Sequence, residues 1–236
     1  MSTTSVQAVT FDAAGTLFTV AEPVGATYAR IAALHGIDVR AIDIDRRFRA
    51  AFAAAPPLAF PGASPARLAD HERAWWYALV RATFGAAASH PRFDACFTHL
   101  FAHYAHGDAW RVFPDARPVL ETLRGRACGL AVVSNFDARV SGILEALGLA
   151  PFFDRIVYSS RSGAAKPAAA IFREALALLG VTPDAALHVG DNMVEDVEGA
   201  RGAGLRAVLL DRSADERSDV TTIASLTELS PLLAGA

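Results

Sequence analysis

Two textures of apolar and polar positions divide the chain. Residues 1–18 and 112–236 alternate short apolar runs with amphipathic segments. The runs Val6–Phe11, Gly129–Val133, Arg155–Tyr158, Ala186–Val189 and Arg206–Leu210 read as buried strands. Between them, Asp115–Arg124, Ala138–Leu147, Ala168–Leu179 and Val194–Ala203 read as helices. Gly125, Gly148, Gly180 and Gly204 stand where helix C-termini favour glycine. Strand and helix in alternation predict an α/β fold, with a parallel sheet covered on both faces.

Residues 19–111 show no strand pattern, and four helices are predicted there. Pro23–His35 aligns Val24, Tyr28 and Ile31 and stops at Gly36; Asp43–Ala54 carries Phe48 and Phe52 four apart. A third helix takes Ser64 as N-cap and Pro65 at its first position, and runs on through Leu68, Trp75, Leu79 and Phe84. Pro91–Ala105 is the fourth, and the loop Pro56–Pro65 interrupts the series. The expectation is an all-helical domain over 19–111, inserted after the first strand of a core built from 1–18 and 112–236. Ligands of open α/β sheets bind beyond the carboxyl ends of the strands, and Asp12 ends the first strand. A module inserted there is placed to roof a site and exclude water.

Composition narrows the class. Hydrophobic residues make up 53% and charged residues 20%, enough for a sizeable core. The net charge of -3, with no basic run, gives no general attraction to nucleic acid or an anionic membrane. No stretch is long enough to span a bilayer, and MSTTSVQAV lacks the features of a secretory leader. Cys96 and Cys128 lie far apart, without metal-site spacing. A reducing, cytoplasmic setting is expected.

Polar residues recur at one edge of the predicted sheet. Asp12 ends the first strand, Ser134-Asn135 the second; Lys166 follows the third, Asp191 the fourth, and Asp196 lies five residues further on. Lys166 is the only lysine in the chain. A strand-terminal Asp is often only a helix cap, and a lone Lys is usually a solvated charge. Together they form a chemical set. A carboxylate can attack phosphorus. Clustered carboxylates call for a hard cation such as Mg²⁺. Hydroxyl, amide and ammonium groups stabilise transferring phosphoryl oxygens. Gly15 permits a tight turn after Asp12, and Thr16 is a candidate to orient the nucleophile or bind phosphate.

FDAAGTL, VVSNF, AAKP and GDNMVED resemble, in order and spacing, the four motifs of the haloacid dehalogenase-like hydrolase superfamily. The insertion resembles that superfamily's C1 cap, and the core its Rossmann-like sheet. Trp75-Trp76, and SNFDAR followed by ILEALGL, look closest to a branch of hydrolases without assigned substrates. The resemblance implies a phosphatase acting on a small phosphate ester or anhydride. Asp12 would be the nucleophile. Ser134 and Asn135 would contact the transferring group, and Lys166 would clamp nucleophile and phosphate. Asp12, Asp191 and the Ala14 carbonyl would bind Mg²⁺, and Asp196 would support the metal through water or orient Lys166.

One position departs from the pattern. Most phosphatases of the superfamily carry a second Asp two residues after the nucleophile, as acid and then base; here it is Ala14. Three other readings tolerate that alanine. Phosphonoacetaldehyde hydrolysis would need a cap lysine, and residues 19–111 contain none. A 2-haloacid dehalogenase would bind its substrate through a cap arginine, for which Arg30, Arg40, Arg46, Arg47 and Arg49 are candidates. It needs no metal, however, and would leave Asp191 unneutralised beside Asp12. The third reading is a binding protein on a decayed enzyme fold. His99, His103 and His106 fall on helical spacing but read as a helix side rather than a metal face. His188 reads as a packed core residue, Trp75, Trp76, Phe97 and Phe101 as contacts between cap helices, Glu22 as a hinge residue and Arg161 as a surface charge.

Overall fold

The computed structural model describes residues 5–126, 128–213 and 220–229. Strand β1 (Ala8–Phe11) leads to β2 (Phe18–Val20) and four helices: α1 (Val24–Leu34), α2 (Ala41–Ala54), α3 (Pro65–Phe84) and α4 (Phe93–His103). The chain returns through β3 (Trp110–Val112), α5 (Ala116–Gly125), β4 (Gly129–Ser134) and α6 (Arg139–Ala146). Then come β5 (Arg155–Tyr158), α7 (Ser159–Ser162), α8 (Ala169–Leu179) and β6 (Ala186–Gly190). A π-helical turn over Met193–Glu198, α9 (Gly199–Gly202), β7 (Arg206–Leu210) and β8 (Thr222–Ile223) follow.

Six strands form a parallel sheet in the order β5-β4-β1-β6-β7-β8. Period-two alternation feeds both faces. Val9, Phe11, Leu130, Val132, Val189, Val208 and Leu210 pack on one side with α5 and α6. Val133, Ala207 and Leu209 pack on the other with Phe172 and Leu176 of α8. Burial on both faces is why these strands read as unbroken apolar runs. A third core, centred on Ile31, Ile44, Phe84 and Phe97, lies within α1–α4. A fully buried Phe such as Phe84 or Phe97 contributes about 1.5–3 kcal/mol. Among the described residues, no helix is long and apolar enough to cross a membrane.

The structure departs from the sequence reading at short elements. Residues 18–20 and 110–112 form an antiparallel pair where the helices leave and rejoin the sheet, although no strand was expected over 19–111. Three-residue strands, distant in sequence, carry neither an alternation pattern nor a hairpin turn. Likewise β8 and α7 are too short to show a period. Ser64 sits at the N-cap of α3 with Pro65 in the first turn, but its hydroxyl makes no capping bond. Gly148, Gly180 and Gly204 take positive φ after their helices, whereas Gly125 stays inside the last turn of α5. The helix expected over Val194–Ala203 is instead a π turn followed by one α turn, which bears on the site.

Candidate active site

The chain runs from β1 outward to β4 and β5, then crosses back to β6 on the other side of β1. The carboxyl end of β1 is therefore a topological switch point, where open α/β sheets bind ligands. Asp12 sits there, its backbone N–H donating to the Val189 carbonyl at 2.9 Å. Ser134 ends β4 and Asp191 follows β6, so both flank it.

Lys166 reaches this point from the loop after α7. Its Nζ donates to Asp12 Oδ1 at 2.6 Å and to Asp196 Oδ1 at 2.6 Å, with its side chain 1% exposed. Ser134 Oγ also donates to Asp12 Oδ1, at 3.2 Å. Asn135 holds the lysine's backbone: Nδ2 donates to the Lys166 carbonyl at 2.9 Å, and Oδ1 accepts from Lys166 N–H at 2.7 Å. The side chain assigned to the transferring group thus fixes the loop that carries the ammonium. Burial disfavours the charge on Lys166, but Asp12 and Asp196 outweigh it and raise its pKa.

Asp196 is saturated by donors. Oδ1 takes Lys166 and His188 Nε2, the latter at 3.1 Å; Oδ2 accepts from Asn192 N–H at 2.9 Å. Burial opposes its ionisation, yet Lys166 and His188 hold its carboxyl well below the usual range. The π turn makes this geometry. Asn192 Oδ1 caps it by accepting from Val194 and Glu195 N–H at 3.0 Å each, and the wide turn points Asp196 back beneath the strand ends. His188 pairs in register with Thr10 on the sheet face below, and Thr10 Oγ1 lies 2.8 Å from His188 Nδ1. Burial lowers the histidine's pKa. A neutral ring with its proton on Nε2 donates to Asp196 and accepts from Thr10. Its placement in the core agrees with the sequence reading.

Asp191 differs. Thr16 Oγ1, a candidate to orient the nucleophile or bind phosphate, donates to its Oδ1 at 3.3 Å. Asp191 is open to the cavity, yet burial of its surroundings, with Asp12 and Asp196 adding to it, pushes its pKa up to about 6. Burial likewise pushes Asp12 above its ordinary value, against the pull of Lys166. Carboxylate oxygens of Asp12, Asp191 and Asp196 lie within 4.8 Å of one another. Three carboxylates meet one ammonium, and two negative charges stay uncompensated. The donor set fits a hard divalent cation. Because Lys166, His188 and Asn192 occupy Asp196, the oxygens left for a metal belong to Asp12 and Asp191.

Gly15 brings the first loop against Asp191. Its φ is +103°, and a Cβ there would overlap the Asp191 carboxylate. Gly62, at φ +75° in open space, is a control for backbone strain alone. Gly15→Ala is expected to lower stability in urea unfolding by about 1–3 kcal/mol, and by more than Gly62→Ala. Equal losses would mean that contact with Asp191 costs nothing.

Comparison with known proteins places the chain in a family. The model of the haloacid dehalogenase-like hydrolase family matches residues 6–204. The chain belongs to that family. The hydrolase is 35% identical to human haloacid dehalogenase-like hydrolase domain-containing protein 3, over 87% of this chain and 82% of that protein. It superposes on a HAD phosphatase from Thermococcus onnurineus with a TM-score of 0.69 at 25% identity, covering 98% of this chain and 99% of the other. It superposes on a 2-haloacid dehalogenase from Pseudomonas syringae pv. Tomato DC3000 with a TM-score of 0.66 at 26% identity, with the same coverage. Overall likeness therefore does not choose between the two chemistries.

A cavity of about 730 Å³ opens above the carboxylates, between the helical insertion of the hydrolase and its sheet. Asp12, Ala14, Ser134, Lys166, Asp191 and Glu195 belong to its floor. Sequence reasoning missed Glu195, Asn192 and Arg139 as lining residues. The first two lie inside the GDNMVED motif, but only the π turn shows which way they point. Burial pushes the Glu195 carboxyl above its ordinary value. Arg139 is tied down by Asp137, with Nε to Oδ1 at 2.9 Å and Nη2 to Oδ2 at 2.6 Å.

The other candidates fall elsewhere. Arg30 pairs with Glu22 at 3.2 Å at the entry to α1, and Arg40 with Asp43 at 2.6 Å. Arg47 donates to the Phe84 carbonyl at 3.3 Å, and Arg46 and Arg49 are exposed. None of these five arginines lines the cavity. His99 meets His35 at 3.4 Å, and none of His99, His103 and His106 belongs to the acidic cluster, which is the one metal-ligating group found among the described residues. Arg161 is exposed and away from the cavity.

Proposed function

We propose that this hydrolase is a Mg²⁺-dependent phosphatase that works through an aspartyl-phosphate at Asp12. The observation that carries the reading is the charge imbalance at the strand ends: Lys166 neutralises one of three carboxylates, and Asp191 has the neutral Thr16 hydroxyl as a side-chain donor. A dehalogenase needs Asp12 without a metal and a cap cation for its substrate's carboxylate. Here Asp191 stands beside Asp12, and no cap arginine lines the cavity.

In this reading the Asp12 carboxylate attacks phosphorus, and the bond from phosphorus to the alcohol oxygen breaks. Lys166 holds Asp12 in place and faces the phosphoryl oxygens, and Ser134 supplies a hydroxyl donor beside them. Asp196, backed by His188, fixes the ammonium. Water then cleaves the acyl-phosphate and restores Asp12. Asp12, Asp191 and the Ala14 carbonyl would hold Mg²⁺, which when bound neutralises the excess charge and polarises a phosphoryl oxygen. The helices α1–α4 act as a cap that excludes water. The two buried, unpaired cysteines suit a cytoplasmic setting.

Phosphate release from p-nitrophenyl and acetyl phosphates, with Mg²⁺ and with EDTA, tests the reading. Mg²⁺-dependent release and a beryllofluoride adduct on Asp12 are expected. Metal-independent turnover, or chloride release from 2-chloropropionate in EDTA, would overturn it; no adduct and no turnover would leave a binding protein. Asp191→Asn should weaken Mg²⁺ binding and slow turnover. Protons compete with the metal at Asp191, whose pKa is raised to about 6. Mg²⁺ affinity should therefore fall by about tenfold per pH unit below that value and level off above it. Calorimetric titration from acid to neutral pH measures this, and a flat profile would remove Asp191 from the metal site.

A further inference from the structure

The cavity is polar on one side only. Its floor holds the carboxylates, Lys166, Ser134 and Asn135; every lining residue contributed by the helical insertion and its two flanking strands is apolar or aromatic. That wall has no charged, amide or aliphatic hydroxyl side chain, and only the phenols of Tyr28 and Tyr104 and the indoles carry polar atoms.

The indole N–H groups are already committed to protein acceptors. Trp75 Nε1 donates to the Pro56 carbonyl at 2.9 Å, Trp76 to Asp137 Oδ2 at 2.5 Å and Trp110 to the Tyr104 carbonyl at 3.2 Å. What these residues offer a guest is ring surface. The rings are continuous: Tyr28 meets Phe48 at 5.8 Å, Phe48 stacks on Phe52 at 5.8 Å, Phe52 meets Trp75 at 6.1 Å, and Trp75 meets Trp76 at 5.0 Å. Arg139, a lining cation contributed by α6 of the core rather than by that wall, is held by Asp137, donates to the Phe101 carbonyl at 3.1 Å, and lies over the Phe101 ring at 4.1 Å. It has little left for a second anion.

A sugar, a polyol or a second phosphate entering this space would lose its water and find few partners. Each unpaired polar group there is penalised, and hydrogen-bonding discrimination is steeper than apolar discrimination. The volume lies within the range that encloses a drug-sized molecule. From this asymmetry we infer that the substrate is the phosphate monoester of a bulky, uncharged, apolar or aromatic alcohol. The phosphate sits on the polar floor and the carbon skeleton lies against the ring chain. The inference rests on the phosphatase reading for the reaction, but not for the apolar half of the cavity.

The test uses primary alkyl phosphates, so that leaving-group strength stays nearly constant. Ethyl, octyl and 2-(2-naphthyl)ethyl phosphates are compared with glycerol 3-phosphate and glucose 6-phosphate in Mg²⁺, and 2-(2-naphthyl)ethanol binding is followed by quenching of tryptophan fluorescence. We expect kcat/KM for the naphthylethyl ester to exceed that for ethyl phosphate by about 100-fold, with glycerol and glucose esters no better than ethyl. Phe52→Ala, at a half-exposed position, should narrow the naphthylethyl-to-ethyl ratio by about tenfold. Glycerol or glucose phosphate hydrolysed as well as the naphthylethyl ester would overturn the inference. If neither these esters nor p-nitrophenyl phosphate is hydrolysed but the alcohol still quenches, the apolar specificity stands and the phosphatase reading falls. If neither occurs, both fall.

Discussion

Lys166→Met is expected to lower phosphatase turnover by about 10²–10³-fold, the usual cost of removing a preorganised charge from a reacting centre. Methionine matches the length of the stem but leaves Asp12 and Asp196 without their shared ammonium, which lies 2.6 Å from each. Arginine should fare little better. Its planar fork cannot enter a space built for a compact donor, and Asn135 fixes the backbone from which it would start. Phosphate release measured for both variants checks this; full activity in either would reduce Lys166 to a structural charge.

Stability and its pH dependence should change with it. Removing one partner of a buried ion cluster costs about 3–5 kcal/mol, because the remaining charges stay buried. The sign of the pH effect separates this from a packing defect. In the native protein Asp196 is depressed by Lys166 and His188, so its contribution is present above the unfolded carboxyl pKa and is lost as pH falls through the folded value. Without the ammonium, burial dominates and raises both carboxyl values in the folded state. The folded variant then binds protons more tightly than the unfolded chain. Its stability should be highest in mild acid and decline as pH rises, so the gap from wild type should widen between about pH 5 and pH 8. Urea midpoints across that range measure the gap, and a constant difference would point to packing alone.

The parallel sheet was readable because burial on both faces writes strands as unbroken apolar runs, and its helices because they end in glycine. The strand-end positions of Asp12, Ser134 and Asp191 follow from the same runs. What each side chain holds did not. Asn135 grips the Lys166 peptide and Thr16 grips Asp191, and both depend on loops whose approach no local pattern encodes. His188 looked inert as a polar residue in an apolar strand, yet cross-strand register places it on Asp196. The π turn was hidden for a related reason. Val194–Ala203 has helical periodicity, but Asp196 bonding back to Asn192 N–H is a local interaction that competes with the α-helix. The one-sided polarity of the cavity needed all four inserted helices in place, although their aromatic residues were plain in the sequence.

Ala14→Asp should raise turnover on phosphate esters with poor leaving groups by up to about 10²–10⁴-fold, the range typical of general acid–base catalysis. Ala14 lines the cavity beside Asp12, half-buried, so a carboxyl grafted there enters the reacting space. In the native chain Asp12 can attack, but alanine can neither protonate the departing alkoxide nor take a proton from incoming water. Wild-type rates should fall steeply as the leaving group becomes more basic: fast for acyl and p-nitrophenyl phosphates, slow for alkyl phosphates. Hydrolysis of the aspartyl-phosphate, which also lacks its base, should then limit turnover on the fast substrates. A burst of p-nitrophenol and a trapped phospho-enzyme would report this. The native and Ala14→Asp proteins should be compared over esters of graded leaving-group pKa, with the slope as the readout. A steep native slope that flattens in the variant supports this account. A native slope that is already flat would assign the acid to another group. Glu195 is then the residue to replace, because it lines the same cavity and burial raises its pKa toward the protonated form an acid needs. In that case Glu195→Gln should make the native slope steep.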